Sequence, residues 1–279
     1  MIEGQWYPGN MARATAELEK DLKAIDLVVE LIDSRIPKSS RNPVIAGLSR
    51  DKMHLLLLHK ADRADKEKMQ CWLSFFMENK IKAMPFTIQN RDSTKKLLQL
   101  LKTEYQNKTT GRFKRPLRMI IVGIPNVGKS TLINHFVHRA VTKTGNQPGI
   151  TRGKQWIRIM PEVELLDTPG ILWPRINDDN IFPLAVVGAL PVGSYDHYLA
   201  ALWLIDNYRS QGKEIYFKQR YKVDLQYPSE LVFEQIGTKR GALLAAGRVN
   251  FERTASLILH DFQDGHLGRI TLESPEVEG

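Results

Sequence analysis

The stretch GIPNVGKS, residues 123–130, fits the phosphate-binding pattern G-x-x-x-x-G-K-[ST]. It follows PLRMIIVG, an apolar segment that predicts a strand, and it leads into Lys129–His138, which predicts a helix. Gly123 and Gly128 let the backbone curl so that its N–H groups converge on bound phosphates. The sequence therefore predicts a phosphate-binding loop between a strand and a helix, which is the context that this motif requires.

The residues of this loop have distinct predicted roles. The Lys129 ammonium can reach the β- and γ-phosphates of a nucleotide, and the Ser130 hydroxyl can bind Mg²⁺. The start of a helix adds positive potential at the same point. We therefore predict a nucleotide-binding segment that consists of Asn126, Val127, Gly128, Lys129, Ser130 and Thr131. The alternative is an ordinary glycine-rich turn.

Two later elements match the magnesium and γ-phosphate contacts of P-loop enzymes. DTPG, residues 167–170, follows a short apolar segment, so Asp167 stands at a predicted strand end, where such enzymes place a carboxylate near Mg²⁺. Thr151 lies in a Gly- and Pro-flanked loop and can complete the Mg²⁺ shell only when γ-phosphate is present. The predicted metal ligands are Ser130, Thr151 and Asp167, and the groups predicted to act on the γ-phosphate are Lys129, Thr151 and Gly170.

A second candidate loop comes earlier in the chain. LLLLHKAD, residues 55–62, begins as a buried strand and ends in a tetrapeptide that is similar to the guanine-reading loop Asn-Lys-x-Asp of GTPases. Guanine presents N1–H and N2–H₂ donors on one edge, and the Asp62 carboxylate can accept from both. The aliphatic stem of Lys60 can cover the base, and His59 completes the predicted set. A polar turn after a strand is an equally open alternative. An enzyme that uses ATP is a further option, against which Asp62 argues.

The order of predicted elements indicates the fold class. Strands alternate with helices up to about residue 180, which predicts a three-layer α/β domain with a mostly parallel sheet. Beyond that point the pattern is helical, apart from RITLE at 269–273, which predicts a strand. We therefore predict a nucleotide-binding domain over residues 1–178 and an all-helical domain over residues 179–279. The helices predicted in the second domain are Ile181–Leu190, Tyr195–Arg209, Ser229–Gly237 and Asn250–Asp261.

Composition and charge narrow the class of protein. The chain has 279 residues, its longest apolar runs are far shorter than a membrane span, and a single cysteine excludes an intramolecular disulfide. These features predict a cytoplasmic protein that does not bind membranes. The net charge is +9, and residues 1–179 carry the excess, with 30 Lys and Arg against 19 Asp and Glu. Such an excess favours a polyanionic partner such as nucleic acid, although solvated surface charge is the simpler alternative.

Taken together, the motifs resemble the circularly permuted GTPases of the YlqF/RbgA family, the ribosome biogenesis GTPase A group. In that family the guanine loop comes before the phosphate loop, which is followed by switch I and then by DTPG, as in this sequence. The resemblance spans nearly the whole chain. The further matching stretches are QWYPGNMARA at 5–14, IDSRIPKSSRN at 32–42, LLDTPGILWP at 165–174 and IGTKRGALLAAG at 236–247.

The resemblance implies a fold and a function. The fold would be a circularly permuted P-loop GTPase domain, with a mostly parallel sheet and helices on both faces, followed by an all-helical C-terminal domain that binds RNA or the ribosome. The function would be that of a GTP-binding and GTP-hydrolysing switch in late assembly of the large ribosomal subunit. The cofactors would be GTP or GDP, Mg²⁺ and K⁺, the last beside Asn126. The partners would be the precursor of the large subunit, its rRNA and ribosomal proteins, and we expect a monomer.

Three positions depart from the family pattern. His59 stands where the family has asparagine, and Asn10 stands where the family has a histidine to which catalysis is attributed. The second base-contacting loop should fall near Phe86–Asn90, but its residues match poorly. Asn10 can hold a water molecule but cannot take up a proton, so we predict slow hydrolysis without the ribosomal subunit or K⁺. The alternative is a degenerate GTPase that acts as an rRNA-binding scaffold, with or without nucleotide.

Overall fold

The computed structural model describes residues 16–108, 115–144, 156–166, 180–191 and 193–275. These residues form a six-stranded sheet in the order β3-β2-β1-β4-β6-β5. Its strands are β1 (Leu27–Asp33), β2 (Met53–His59), β3 (Lys82–Pro85), β4 (Leu117–Gly123), β5 (Trp156–Met160) and β6 (Val163–Leu166). All neighbouring strands are parallel except β5 and β6, which form an antiparallel pair. The predicted α/β class with a mostly parallel sheet is confirmed.

Helices lie on both faces of the sheet, and further helices follow the last strand in the chain. They are α1 (residues 16–22), α2 (Pro43–Leu48), α3 (Lys66–Glu78), α4 (Arg91–Lys108), α5 (Lys129–Thr144), α6 (Ile181–Val186), α7 (His197–Ser210), α8 (Ile215–Tyr221), α9 (Ser229–Lys239) and α10 (Phe251–Gln263). Helices α1 to α3 cover one face of the sheet, and α4 and α5 cover the other. Helices α6 to α10 pack mainly on one another. No helix within the described residues is long and apolar enough to cross a membrane.

The strand order explains the unusual order of motifs. Strand β4, which carries the phosphate loop, lies in the middle of the sheet, and the earlier strands β1, β2 and β3 extend the sheet on one side of it. The guanine-type loop after β2 therefore reaches the same edge of the sheet as the loop after β4, although it precedes that loop in sequence. Ligands of open parallel sheets bind at the carboxyl ends of the strands. The topology thus confirms the permuted arrangement.

The strand register places the two loops close together. Asp33 at the end of β1 is paired with His59 at the end of β2, and Leu31 of β1 is paired with Gly123 at the end of β4. All seven residues of β1 are buried, and so is the leucine run of β2, as expected for strands that are covered on both faces. Apolar burial on both faces therefore fixes the positions of the strand ends that carry the site.

The segment at 269–273 differs from the prediction. RITLE was predicted to be a strand, but the structure has no strand there, and the segment crosses back over the loops that follow β1 and β2. The Ile270 N–H donates to the Arg63 carbonyl at 3.1 Å, and the Leu272 N–H donates to the Arg35 carbonyl at 2.7 Å. Ile270, Thr271 and Leu272 are all buried under these loops, so the segment is as buried as a strand but has no strand partner. The predicted domain boundary at 178/179 lies next to residues outside the described set and stays a prediction.

Candidate nucleotide-binding site

The phosphate loop has a backbone that only glycine fits at two positions. Gly123 has φ +151°, and a Cβ at this residue would lie 2.3 Å from the Leu31 carbonyl oxygen. Gly128 has φ +109°, and a Cβ there would lie 2.8 Å from the imidazole of His59. Val127 between them is 1% exposed and anchors the loop in the core. The two glycines of the motif are therefore required by close approach as well as by backbone conformation.

The Lys129 side chain lies along the inside of this loop. Its Nζ donates to the carbonyl oxygens of Gly123 at 2.8 Å and of Ile124 at 2.6 Å. Burial lowers the pKa of the Lys129 ammonium to about 8. Ser130 and Thr131, in the first turn of α5, are exposed, and a serine hydroxyl at this place suits a hard cation that prefers oxygen ligands. The loop thus offers a cation, a helix start and a free hydroxyl on one side.

The guanine-type loop begins at the end of β2. Lys60 adopts the left-handed conformation, with φ +57°, and a short 3₁₀ turn, Ala61–Arg63, follows it. The Asp62 side chain is exposed, and its Oδ1 accepts a hydrogen bond from the Thr87 hydroxyl at 3.1 Å. The turn therefore presents a carboxylate to solvent at the edge of the sheet, oriented by a neighbouring hydroxyl.

The Lys60 side chain joins the two loops. Its Nζ donates to the Asn126 carbonyl oxygen in the phosphate loop at 3.3 Å and to Asp33 Oδ2 at 3.0 Å. Burial lowers the pKa of the Lys60 ammonium, and the Asp33 carboxylate opposes this shift. Asn126 itself has φ +56°, and its Nδ2 donates to the Gly188 carbonyl at 2.6 Å, just beyond α6. The predicted base loop and the predicted phosphate loop are therefore in direct contact.

His59 lies between the same two loops. Its ring is 5% exposed, rests against Gly128, and has Nδ1 3.4 Å from the Phe86 carbonyl oxygen. Burial, helped by the Lys60 charge, lowers the pKa of His59 to about 4. The imidazole is therefore neutral at pH 7, and its Nδ1 is the donor toward Phe86. In this position His59 braces one loop against the other.

The burial of His59 predicts a loss of stability in mild acid. In the unfolded chain His59 takes up a proton near pH 6.5, but in the folded chain it does so only near pH 4. The unfolded state therefore binds more protons between these values, so stability falls as pH falls. From pH 7 to pH 5 this one group should remove about 2 kcal/mol of unfolding free energy. The measurement is urea unfolding at both pH values, for the wild type and for His59→Asn.

In His59→Asn, this part of the pH dependence should be absent. His260→Asn, which removes an exposed imidazole from α10, controls for the general effect of losing a histidine. Equal pH dependence in the wild type and His59→Asn would contradict the prediction.

The structure identifies two residues that the sequence left unassigned. Phe86 and Thr87 follow β3, which is parallel to β2. The Phe86 carbonyl accepts from the Ala61 N–H at 3.3 Å and lies near His59, while Thr87 contacts Asp62. The signal that could have found them is strand order, because parallel neighbouring strands bring their following loops together. A base contact by residues near Phe86–Asn90 stays a prediction.

Four predicted site residues lie outside the described residues. These are Asn10, Thr151, Asp167 and Gly170. The predicted Mg²⁺ set of Ser130, Thr151 and Asp167 is thus represented by Ser130 alone. Within the described ranges, no group of three or more His, Cys, Asp or Glu side chains could hold a metal ion. The structure brings together His59, Lys60, Asp62, Asn126, Val127, Gly128, Lys129, Ser130 and Thr131 at one edge of the sheet.

Comparison with known proteins agrees with this arrangement. The family described as a 50S ribosome-binding GTPase matches residues 118–215, and ribosome biogenesis GTPase A from Bacillus licheniformis is 39% identical over 98% of each chain. The chain belongs to the ribosome biogenesis GTPase A family. Two solved structures are similar to this member of the family. YlqF from T. maritima bound to GNP has a TM-score of 0.70 at 29% identity, and covers 95% of this chain and 99% of its own. YlqF bound to GDP has a TM-score of 0.71 at 28% identity, and covers 94% of this chain and 100% of its own.

Proposed function

We propose that this chain is a cytoplasmic GTP-binding switch that hydrolyses GTP to GDP and phosphate during late assembly of the large ribosomal subunit. The observation that carries the proposal is the Lys60 contact between the guanine-type loop and the phosphate loop. It brings the loop that carries Asp62, which we propose reads the base, against the loop that carries Lys129, which we propose binds the phosphates. The names of the similar proteins, which include a 50S ribosome-binding GTPase family and ribosome biogenesis GTPase A, support the ribosomal part of the proposal.

In this proposal, different residues contact the base, the phosphates, the metal ion and the attacking water. Asp62 reads guanine, Lys60 and His59 position the base loop, and residues 126–131 hold the phosphates. Mg²⁺ would be held by Ser130, Thr151 and Asp167, and it would offset charge on the transferring phosphate. The Gly170 N–H would contact the γ-phosphate, and Asn10 would orient the attacking water. A K⁺ ion near Asn126 would stabilise charge in the transition state.

A basic surface at the end of α9 supports an RNA partner. Lys239, Arg240, Arg248 and Arg253 are exposed, although the described part of the helical region is otherwise rich in acidic groups. The Arg240 guanidinium lies over the ring of Tyr221, with its Cζ 5.1 Å from the centroid, and donates to the Arg220 carbonyl at 2.9 Å. These two contacts fix the Arg240 guanidinium at the surface of the protein. We propose that this patch contacts rRNA phosphates in the precursor of the large subunit, with the chain binding as a monomer.

Hydrolysis tests the proposal directly. We expect slow GTP turnover by the protein alone, and faster turnover with large ribosomal subunits and with K⁺ in place of Na⁺. Asn10→His should raise the intrinsic turnover about tenfold or more, because an imidazole can accept a proton from the attacking water and an amide cannot. The measurement is phosphate release under single-turnover conditions.

Asn10→Gln is the matched control, because it keeps an amide and adds no base. Tight rRNA binding with no measurable GDP affinity would instead favour the nucleotide-free scaffold. If neither subunits nor K⁺ raised turnover above background, the enzymatic part of the proposal would be wrong.

A further inference from the structure

The motif IDSRIPKSSRN, residues 32–42, contains a buried ion pair beside the candidate site. Asp33, at the end of β1, is fully buried, and Arg35 is 1% exposed. Arg35 Nε lies 2.9 Å from Asp33 Oδ1, and Nη2 lies 2.9 Å from Oδ2, so the contact is bidentate. Burial alone would raise the pKa of Asp33, but the Arg35 and Lys60 charges hold it well below its usual range. A pair this deeply buried is costly unless its remaining donors are also satisfied.

Asp33 and Arg35 each make a further hydrogen bond, on opposite sides of the pair. On the nucleotide side, Asp33 Oδ2 also accepts from Lys60 Nζ at 3.0 Å. On the other side, Arg35 Nη1 donates to the Phe262 carbonyl at 2.8 Å, and the guanidinium lies 4.6 Å from the centroid of the Phe262 ring. Phe262 is in the last turn of α10, where carbonyl groups favour a cation. Lys60 is thus connected to the end of α10 through two buried side chains.

Further hydrogen bonds hold the loop after β1, which carries Ser34 and Arg35. The Thr271 hydroxyl donates to the Ser34 carbonyl at 3.1 Å, and the Leu272 N–H donates to the Arg35 carbonyl. Gln263 Nε2 donates to the Val186 carbonyl at 3.2 Å, close to the Gly188 carbonyl that Asn126 contacts. The backbone around Arg35 is therefore held from both sides, and the guanidinium has one defined orientation.

We propose that Asp33 and Arg35 are positioning residues for guanine nucleotide binding, which hold Lys60 between the base loop and the phosphate loop. Lys60 has three rotatable donors on a flexible stem, so without a fixed acceptor its ammonium would be free to move. Besides the Asn126 carbonyl, Asp33 supplies a charged acceptor, and Arg35 orients Asp33 through the bidentate contact. The proposal rests on the proposed function, because it assumes that Lys60 serves a guanine nucleotide.

The test is a double-mutant cycle on GDP affinity in the full chain, with fluorescently labelled GDP as the probe. Arg35→Gln should weaken GDP binding about tenfold. Lys60→Met should weaken it at least as much, and the double variant should bind no more weakly than Lys60→Met alone. Fully multiplicative losses would overturn the proposal, because a merely structural role of Arg35 would not depend on Lys60.

Removal of Arg35 alone leaves a buried carboxylate, so a second variant guards against unfolding. Asp33→Asn combined with Arg35→Gln removes both charges and should keep the chain folded, as thermal unfolding will show, yet GDP affinity should still fall about tenfold. Wild-type affinity in this folded variant would overturn the proposal.

The matched control is Arg115→Gln. Arg115, which is exposed, also makes a bidentate pair, with Asp26 at the opposite end of β1 at distances of 2.6 and 2.8 Å, and its loss should leave GDP affinity unchanged. A tenfold loss in this control would also count against the proposal. Absence of GDP binding by the wild type would instead overturn the proposed function, and this inference with it.

Discussion

Lys129→Met should lower GDP and GTP affinity by about 100-fold or more. The Lys129 ammonium is the cation that lies inside the phosphate loop, and each charge-assisted hydrogen bond to a phosphate is worth about 1.5–3 kcal/mol. The fold should tolerate the change. Removal of a buried charge should raise the free energy of unfolding. The carbonyls of Gly123 and Ile124 lose their hydrogen-bond donor, which should lower it, so the two effects oppose each other. Nucleotide titration and thermal unfolding of the same samples measure both.

The pH dependence of the wild type gives a further check on the same residue. Because the pKa of Lys129 in the free protein is about 8, the ammonium loses its proton as pH rises through this value. Bound phosphates need the charged form, so GDP affinity should fall about fourfold from pH 7 to pH 8.5. This dependence should be missing in Lys129→Met. Lys95→Met, which removes an exposed lysine from α4, is the control and should bind GDP like the wild type.

Asp62→Asn should reverse the base preference of the site. Guanine donates N1–H and N2–H₂, and the carboxylate accepts both, so its loss should weaken GDP binding about 100- to 1,000-fold. The asparagine amide offers one acceptor and one donor. Xanthine offers N1–H and a C2 carbonyl, which is the complementary pattern, so affinity for xanthosine diphosphate should rise about 100-fold. Parallel titrations with the two nucleotides measure this change in base preference.

Asp92→Asn is the matched control for this change. Asp92 is an exposed aspartate in the first turn of α4, and its replacement should affect neither nucleotide. If Asp62→Asn left the ratio of the two affinities unchanged, Asp62 would not be the group that reads the base, and the motif at 59–62 would revert to a polar turn.

Local sequence was sufficient to predict the sheet and the two loops. The leucine run of β2 and the apolar residues before Gly123 have the pattern of strands covered on both faces, and the structure confirms both strands. Loop residues at strand ends follow from the parallel topology, so the proximity of His59 to Gly128 needed only the correct strand order. These features depend on short stretches of chain whose burial pattern is unambiguous.

Other features could not be read from local pattern. Helix α8, Ile215–Tyr221, was missed, because its aromatic and β-branched residues favour a strand as readily as a helix. RITLE was wrongly predicted to be a strand, because its apolar and β-branched residues indicate burial but not the partner against which they are buried. The contact of Arg35 with Phe262 joins residues 227 positions apart, and only the folded structure reveals it. The long-range contacts around Arg35 are what the sequence did not reveal.

The crossing of residues 270–273 over the loops after β1 and β2 has a consequence for biosynthesis. Thr271 contacts Ser34 across 237 positions of sequence, so this contact forms only after nearly all of the described chain has been synthesised. A nascent chain that has completed β1 to β4 therefore still lacks the segment that holds Ser34 and Arg35 in place. We expect the ability to hold a nucleotide tightly to arise only once residues 270–273 have left the ribosome, so that shorter nascent chains bind nucleotide weakly.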